Sequence, residues 1–183
     1  MGAWKTLSRR LVYDQPPWLR IQHHTVELPD GRIIPDWPWV ETPDYINVVV
    51  ETEVGQFLCF RQYKYAVAGP MLALVGGYIK PGESPLEAAK RELREETGYS
   101  SDEWVELGKY LVDPNRGVAT GHLFLVRRAH QAGLPDSDDL EQQEMLLLTR
   151  GELEKALEQG EFKILAWAAA VAFGLRQLSL MGG

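Results

Sequence analysis

Residues 76–99 read GGYIKPGESPLEAAKRELREETGY, and the fold turns on how this stretch is read. Ser84 followed three residues later by Glu87 forms a capping box, with Pro85 at the favoured first helical position. Gly98 supplies a left-handed cap at the other end. The spacing predicts a helix over 85–97. Residues three and four apart share a helix face, so Glu92, Glu95 and Glu96 are expected to project together. Leu86, Ala89 and Leu93 would form the opposite, apolar stripe. Glu92 and Glu96 stand at i and i+4, a like-charge pairing that disfavours an exposed helix. They also lie in the last turns, where the helix dipole opposes negative charge. Breaking two placement rules together is a mark of functional sites. The plain alternative is a solvated face, with Glu87–Arg91 and Arg91–Glu95 as offsetting pairs. Against it stands the Gly76-Gly77 step just before, which lets backbone approach a ligand closely. Clustered carboxylate oxygens suit Mg²⁺ or Mn²⁺.

The surrounding chain reads as strands. LRIQHHTVEL (19–28) alternates apolar and polar residues, Pro29-Asp30-Gly31 supplies a turn, and RIIPDWPWVE follows, so 19–41 is expected as a hairpin. INVVVETE (46–53) and QFLCFRQYKYA (56–66) form a second hairpin, whose VVV run is apolar on both faces and therefore central. LALVGGYI (72–79) reads as a strand entering the helix. WVELGKYLV (104–112) and GHLFLVRRA (121–129) read as strands around DPNRGVAT, and 133–144 as a polar loop. After the strand MLLLT, Thr149 and Glu152 suggest another capping box, with helices near 151–158 and 163–180. Strands with inserted helices but no regular βαβ alternation imply an α+β fold, a mixed sheet between helices. The expected division is an N-terminal β-rich extension, 1–43, and a main domain, 44–183.

Composition narrows the function. With 183 residues, 45% of them hydrophobic and 25% charged, the chain suits one globular domain with a small appendage. A net charge of −7 argues against a nucleic-acid binder, which needs clustered Lys and Arg on phosphates. Cys59 is the only cysteine, so no internal disulfide can form, which fits a cytoplasmic protein. The most apolar stretch, ILAWAAAVAFGL (164–175), is too short to span a bilayer, and no membrane partner is expected.

Gly77, five residues, Glu83, seven residues, then Arg91-Glu92-Leu93-x-Glu95-Glu96-x-Gly98 resembles the Nudix box. Only Tyr99, where an aliphatic residue is usual, departs from it. The resemblance implies a Nudix α/β/α sandwich with a mixed sheet and an N-terminal β-hairpin extension. It implies metal binding by Glu92, Glu95, Glu96 and the carbonyl of Gly76, with Mg²⁺ or Mn²⁺ as cofactor. Arg91 would orient the carboxylates. Glu83 would brace the loop against the helix, a structural ion pair being an equal alternative. The implied reaction is hydrolysis of a nucleoside diphosphate derivative, metal ions neutralising the diphosphate while water attacks phosphorus.

Other segments resemble the ADP-ribose and nucleotide-sugar pyrophosphatase branch. They are the hairpin around LPDG (28–31), FRQYKYA (60–66) and the C-terminal TRGELEKALEQGEF. The branch implies a homodimer, and a basic residue at Lys64 meeting the diphosphate. Arg61 is a second candidate, or a surface charge. Departures are Ala73-Leu74-Val75-Gly76, where many members carry Glu-Leu-Pro-Ala, and Pro114, one residue early. Asp113, Asn115 and Arg116 would touch the distal sugar or phosphate, or simply build a turn. Trp37 and Trp39, two apart on a strand, would stack on a base or pack in a core or dimer. Glu141 and Glu144, with Asp139 behind them, are the positional matches for a catalytic base, or solvated loop charges. Competing readings are another nucleoside diphosphate or coenzyme substrate, and a regulatory domain that binds a nucleotide without cleaving it.

Overall fold

A computed structural model describes residues 2–136 and 142–182. Its strands are β1 (Lys5–Gln15), β2 (Leu19–Glu27), β3 (Ile33–Glu41), β4 (Tyr45–Thr52), β5 (Phe57–Gln62), β6 (Met71–Ala73), β7 (Val75–Tyr78), β8 (Tyr99–Ser100), β9 (Glu103–Asp113), β10 (Val118–Gln131) and β11 (Gln143–Leu148). The helices are α1 (Pro85–Thr97), α2 (Arg150–Glu158) and α3 (Leu165–Leu180). By its internal contacts the chain forms two units. One is Met1–Asp44 with Tyr110–Thr120, and the other is Tyr45–Lys109 with Gly121–Gly183. The linear division at 43/44 has no counterpart for the 110–120 segment.

The larger unit is built on β4. Its run Ile46 to Val50 is at most 3% exposed, as expected for a strand apolar on both faces. β10 pairs with β4 in parallel, while β5 and β7 pair with it antiparallel, so the sheet is mixed. β11 extends the sheet beyond β5. Side chains alternate across a strand. Asn47 and Val49 face α3, where Trp167 donates to Asn47 and Val49 lies 3.3 Å from where a Gly174 Cβ would stand. α1 packs on β4 and β7, and Leu93 from it is buried in the core. Burying a leucine of this kind stabilises the fold by about 2 kcal/mol.

The stretch 72–79, expected as one strand, changes partner at Leu74: β6 pairs with β5, and β7 with β4. An apolar run buried on both sides carries no periodicity to mark that switch. Both expected capping boxes are present. Ser84 Oγ accepts from Glu87 N and Glu87 Oε2 from Ser84 N, and Thr149 and Glu152 repeat the pattern. None of the described helices is long and apolar enough to cross a membrane.

The smaller unit contains a three-stranded antiparallel sheet in the order β1-β2-β3. The expected hairpin is β2 and β3. The sequence reading did not anticipate β1, and the reason is physical: all eleven of its residues are exposed, so burial imposes no alternation on KTLSRRLVYDQ.

Candidate active site

The box segment folds around Arg91. Its Nε donates to Glu83 Oε1 at 2.8 Å and its Nη2 to Glu83 Oε2 at 3.0 Å, a bidentate pair. Nη1 reaches Glu92 Oε1 at 2.6 Å and Glu95 Oε2 at 3.0 Å. Nη2 also donates to the Tyr78 carbonyl at 3.1 Å. One guanidinium thus ties the end of β7, the loop before the helix and two helix carboxylates together. These bonds hold its own pKa above the usual arginine value. The bond from Arg91 pulls the Glu83 carboxyl below its ordinary value of 4.5, and the backbone N–H of Lys80 adds to the effect.

Two local expectations are corrected. Glu87 does not pair with Arg91: its carboxylate closes the cap on Ser84 N. Leu86 is 38% exposed, and the buried face of α1 is Ala88, Ala89, Leu93, Glu96 and Thr97. The three glutamates therefore differ in setting. Glu96 is 9% exposed on the packed edge, whereas the Glu95 side chain is 42% exposed.

The diglycine step serves both faces of the sheet. In the β4–β7 register Asn47 stands opposite Gly76 and Ile46 opposite Gly77. A Cβ on Gly77 would fall on the Glu92 carboxylate. A Cβ on Gly76 would come within 2.7 Å of Asn47 Oδ1 and 2.9 Å of the Ile46 carbonyl. Trp167 Nε1 donates to that Oδ1 at 2.8 Å. Asn47 is absent from the sequence-derived candidates; its signal is being the one polar residue in the apolar run 46–50.

The donor chemistry of this cluster fits a hard divalent cation: three carboxylates within five residues, beside a backbone bared by glycine. As the side chains stand, no three His, Cys, Asp or Glu groups among the described residues converge on a metal-sized position. Arg91 supplies positive charge to Glu92 and Glu95.

The other candidates have settings of their own. Arg61, on β5, is 3.7 Å from Glu161 and stands opposite Glu144 in the β5–β11 register. Glu144 is exposed on β11, not in the preceding loop as expected; Glu141 and Asp139 fall outside the described residues. Lys64, half-buried, follows β5, and its carbonyl accepts from Val67 N. In the smaller unit the Trp37 indole donates to the Asn115 carbonyl at 2.8 Å and meets Trp4 edge-on. Trp39 stacks on His24, with ring centroids 5.0 Å apart, and fills the space a Gly117 Cβ would need. Asp113 accepts from the backbone N–H of Asn115 and Arg116 and from Arg116 Nη1. Packing and turn formation, the plainer alternatives for these residues, thereby acquire named partners. Cys59 is buried, and burial pushes its thiol up to about 12, so it is protonated and unreactive near neutrality.

Comparison with known proteins adds the family. Residues 41–168 match the NUDIX domain model, and residues 4–40 match the nucleoside diphosphate sugar hydrolase N-terminal domain. The ADP-ribose pyrophosphatase of Bacillus subtilis (strain 168) is 26% identical over 96% of this chain and 92% of its own. The CMP-5'-(N-acetyl-N-hydroxy-3-aminopropyl)phosphonate hydrolase of Streptomyces rubellomurinus is 27% identical, over 98% of this chain and 84% of its own. A solved structure described as an ADP compounds hydrolase superposes with a TM-score of 0.83 at 19% identity, covering 100% of this chain and 97% of that one. With the Nudix box built into a mixed sheet between helices and most of the chain matching the family model, this protein belongs to the NUDIX domain family.

Proposed function

We propose that the protein is a Nudix pyrophosphatase that hydrolyses the diphosphate of a nucleoside diphosphate derivative, with ADP-ribose or a related nucleotide sugar as substrate. The observation that carries this reading is the Arg91-centred carboxylate cluster against the Gly76-Gly77 step. Support for the substrate class comes from the N-terminal match to a nucleoside diphosphate sugar hydrolase domain and from the ADP-ribose pyrophosphatase relative.

Glu92, Glu95 and Glu96, with the Gly76 carbonyl, would hold Mg²⁺ or Mn²⁺. When bound, the divalent cation supplies charge neutralisation for the diphosphate and acidifies water. Arg91 orients Glu92 and Glu95, and Glu83 fixes Arg91 through its two-pronged bond. Lys64 is the candidate for the diphosphate, with Arg61 second. Glu144 or Glu141 would take the proton from water. Products from ADP-ribose would be AMP and ribose 5-phosphate.

The exposed strand β1 carries Leu7, Leu11, Val12 and Tyr13, each about half exposed. Apolar groups in that density on one strand favour a partner surface, and a second copy of this chain is the expected occupant. The buried single cysteine fits a cytoplasmic protein.

The phosphonate hydrolase relative favours a second substrate reading, a compound in which CMP is joined to a phosphonate. A panel of ADP-ribose, other nucleotide sugars, dinucleotides and cytidine compounds, incubated with Mg²⁺ or with EDTA, separates the two. ADP-ribose cleaved fastest and only with metal is the expected outcome. Preference for a cytidine compound would shift the substrate assignment. Tight binding with no cleavage of any compound would make the protein a nucleotide-binding module.

A further inference from the structure

We propose that Asn47, anchored by Trp167, is a positioning residue that clamps the Gly76-Gly77 step and so sets the metal-binding geometry of the carboxylate site. The inference rests on the metal-dependent reading of that site.

Asn47 is 3% exposed and sits among Ile46, Val48, Val49 and Val50. Its Nδ2 makes no hydrogen bond among the described residues. An amide whose Nδ2 is buried without a partner costs stability, and accepting from the buried Trp167 indole offsets that cost only in part. Packing alone therefore does not account for an amide here. Its orientation is fixed by chemistry, because the Trp167 indole N–H can only donate. The atom it meets, at 2.8 Å, is the carbonyl oxygen Oδ1. That oxygen is thereby held against Gly76, where a Cβ would lie only 2.7 Å away.

On the opposite face, the Glu92 carboxylate occupies the space beside Gly77. Gly76 and Gly77 are paired with β4, and without Cβ atoms they resist small shifts less than other strand residues do. The Asn47 amide stands against Gly76 from the α3 side and the Glu92 carboxylate against Gly77 from the α1 side, leaving no room for a Cβ on either. Loosening the first contact lets Gly76 and Gly77 shift, and Glu92 with them. Supporting groups behind metal ligands typically change affinity by roughly 10- to 100-fold when removed.

The test compares Asn47→Leu, Trp167→Phe and Val49→Ala with the unaltered full chain. Direct Mn²⁺ titration by calorimetry is the main readout, with thermal unfolding measured alongside. Val49 faces α3 beside Gly174 but does not touch the diglycine step, so it controls for loss of core packing. Asn47→Leu is expected to weaken Mn²⁺ binding about 10-fold. Trp167→Phe, which keeps a ring and deletes the donor, should weaken it in the same direction by less. Val49→Ala should bind as the unaltered chain does, even if its unfolding temperature drops. Unchanged Mn²⁺ affinity in folded Asn47→Leu and Trp167→Phe would overturn the proposal. Equal weakening in Val49→Ala would overturn it too, by reducing Asn47 to core packing. An unaltered chain that binds no Mn²⁺ would overturn the underlying metal reading, and this inference with it.

Discussion

Two ion-pair clusters in this protein each set an arginine against carboxylates, in opposite settings. Around Arg91, the partners Glu83 and Glu92 have side chains only 15% and 14% exposed. In the loop holding Asp113, the Arg116 side chain is 52% exposed. Similar bond lengths, 2.8 Å in each cluster, conceal very different energetics. Water screens the exposed pair, and its long side chains give up rotamer freedom to hold it. The enclosed network has carboxylates that would stand poorly solvated without their guanidinium. Geometry alone therefore does not mark a site. Enclosure, and the number of groups sharing one charge, does.

The largest effect expected from this contrast follows Arg91→Ala. Losing the shared cation should destabilise the fold by about 3 kcal/mol, read from denaturant unfolding, and should abolish turnover. Next comes Leu11→Asp on the exposed β1. If that strand is a self-association surface, sedimentation should find a monomer with an intact fold. A dimer surviving the change would place the interface elsewhere. A smaller effect is the acid limb of stability. Arg91 depresses the Glu83 carboxyl, so its contribution is present above about pH 4.5 and is lost as pH falls through the lower folded value. Glu83→Gln should flatten that limb; an unchanged limb would mean other carboxylates dominate it. Smallest is Arg116→Ala, expected to leave the unfolding midpoint nearly unchanged. A loss comparable to that of Arg91→Ala would break the contrast.

The same contrast explains what the sequence could disclose. Ser84, Glu87 and Gly98 follow local capping rules, so the bounds of α1 were readable before any tertiary contact was known. How α1 rolls on the sheet was not. Local apolarity favours a stripe through Leu86, but Ala88 and Ala89 are both small and bind the helix only weakly to that choice. The sheet decides, burying Glu96 and leaving Leu86 out. Arg91 as the meeting point of Glu83, Glu92, Glu95 and the Tyr78 carbonyl was only partly visible. The i,i+4 bond to Glu95 is written in helix spacing, while the Tyr78 carbonyl arrives through the β7 turn. Glu144 was expected in a loop because QQE is polar, but pairing with β5 draws it into β11. β1 left no trace because an exposed strand has no buried face to pattern.

The most direct test of the account is hydrolysis of ADP-ribose by the unaltered chain and by Glu96→Gln, each with Mg²⁺ and with EDTA, with product identification. The expected products from the unaltered chain are AMP and ribose 5-phosphate, only with Mg²⁺, and turnover in a folded Glu96→Gln should be lower by orders of magnitude. Turnover that persists in EDTA, or a fully active Glu96→Gln, would contradict it.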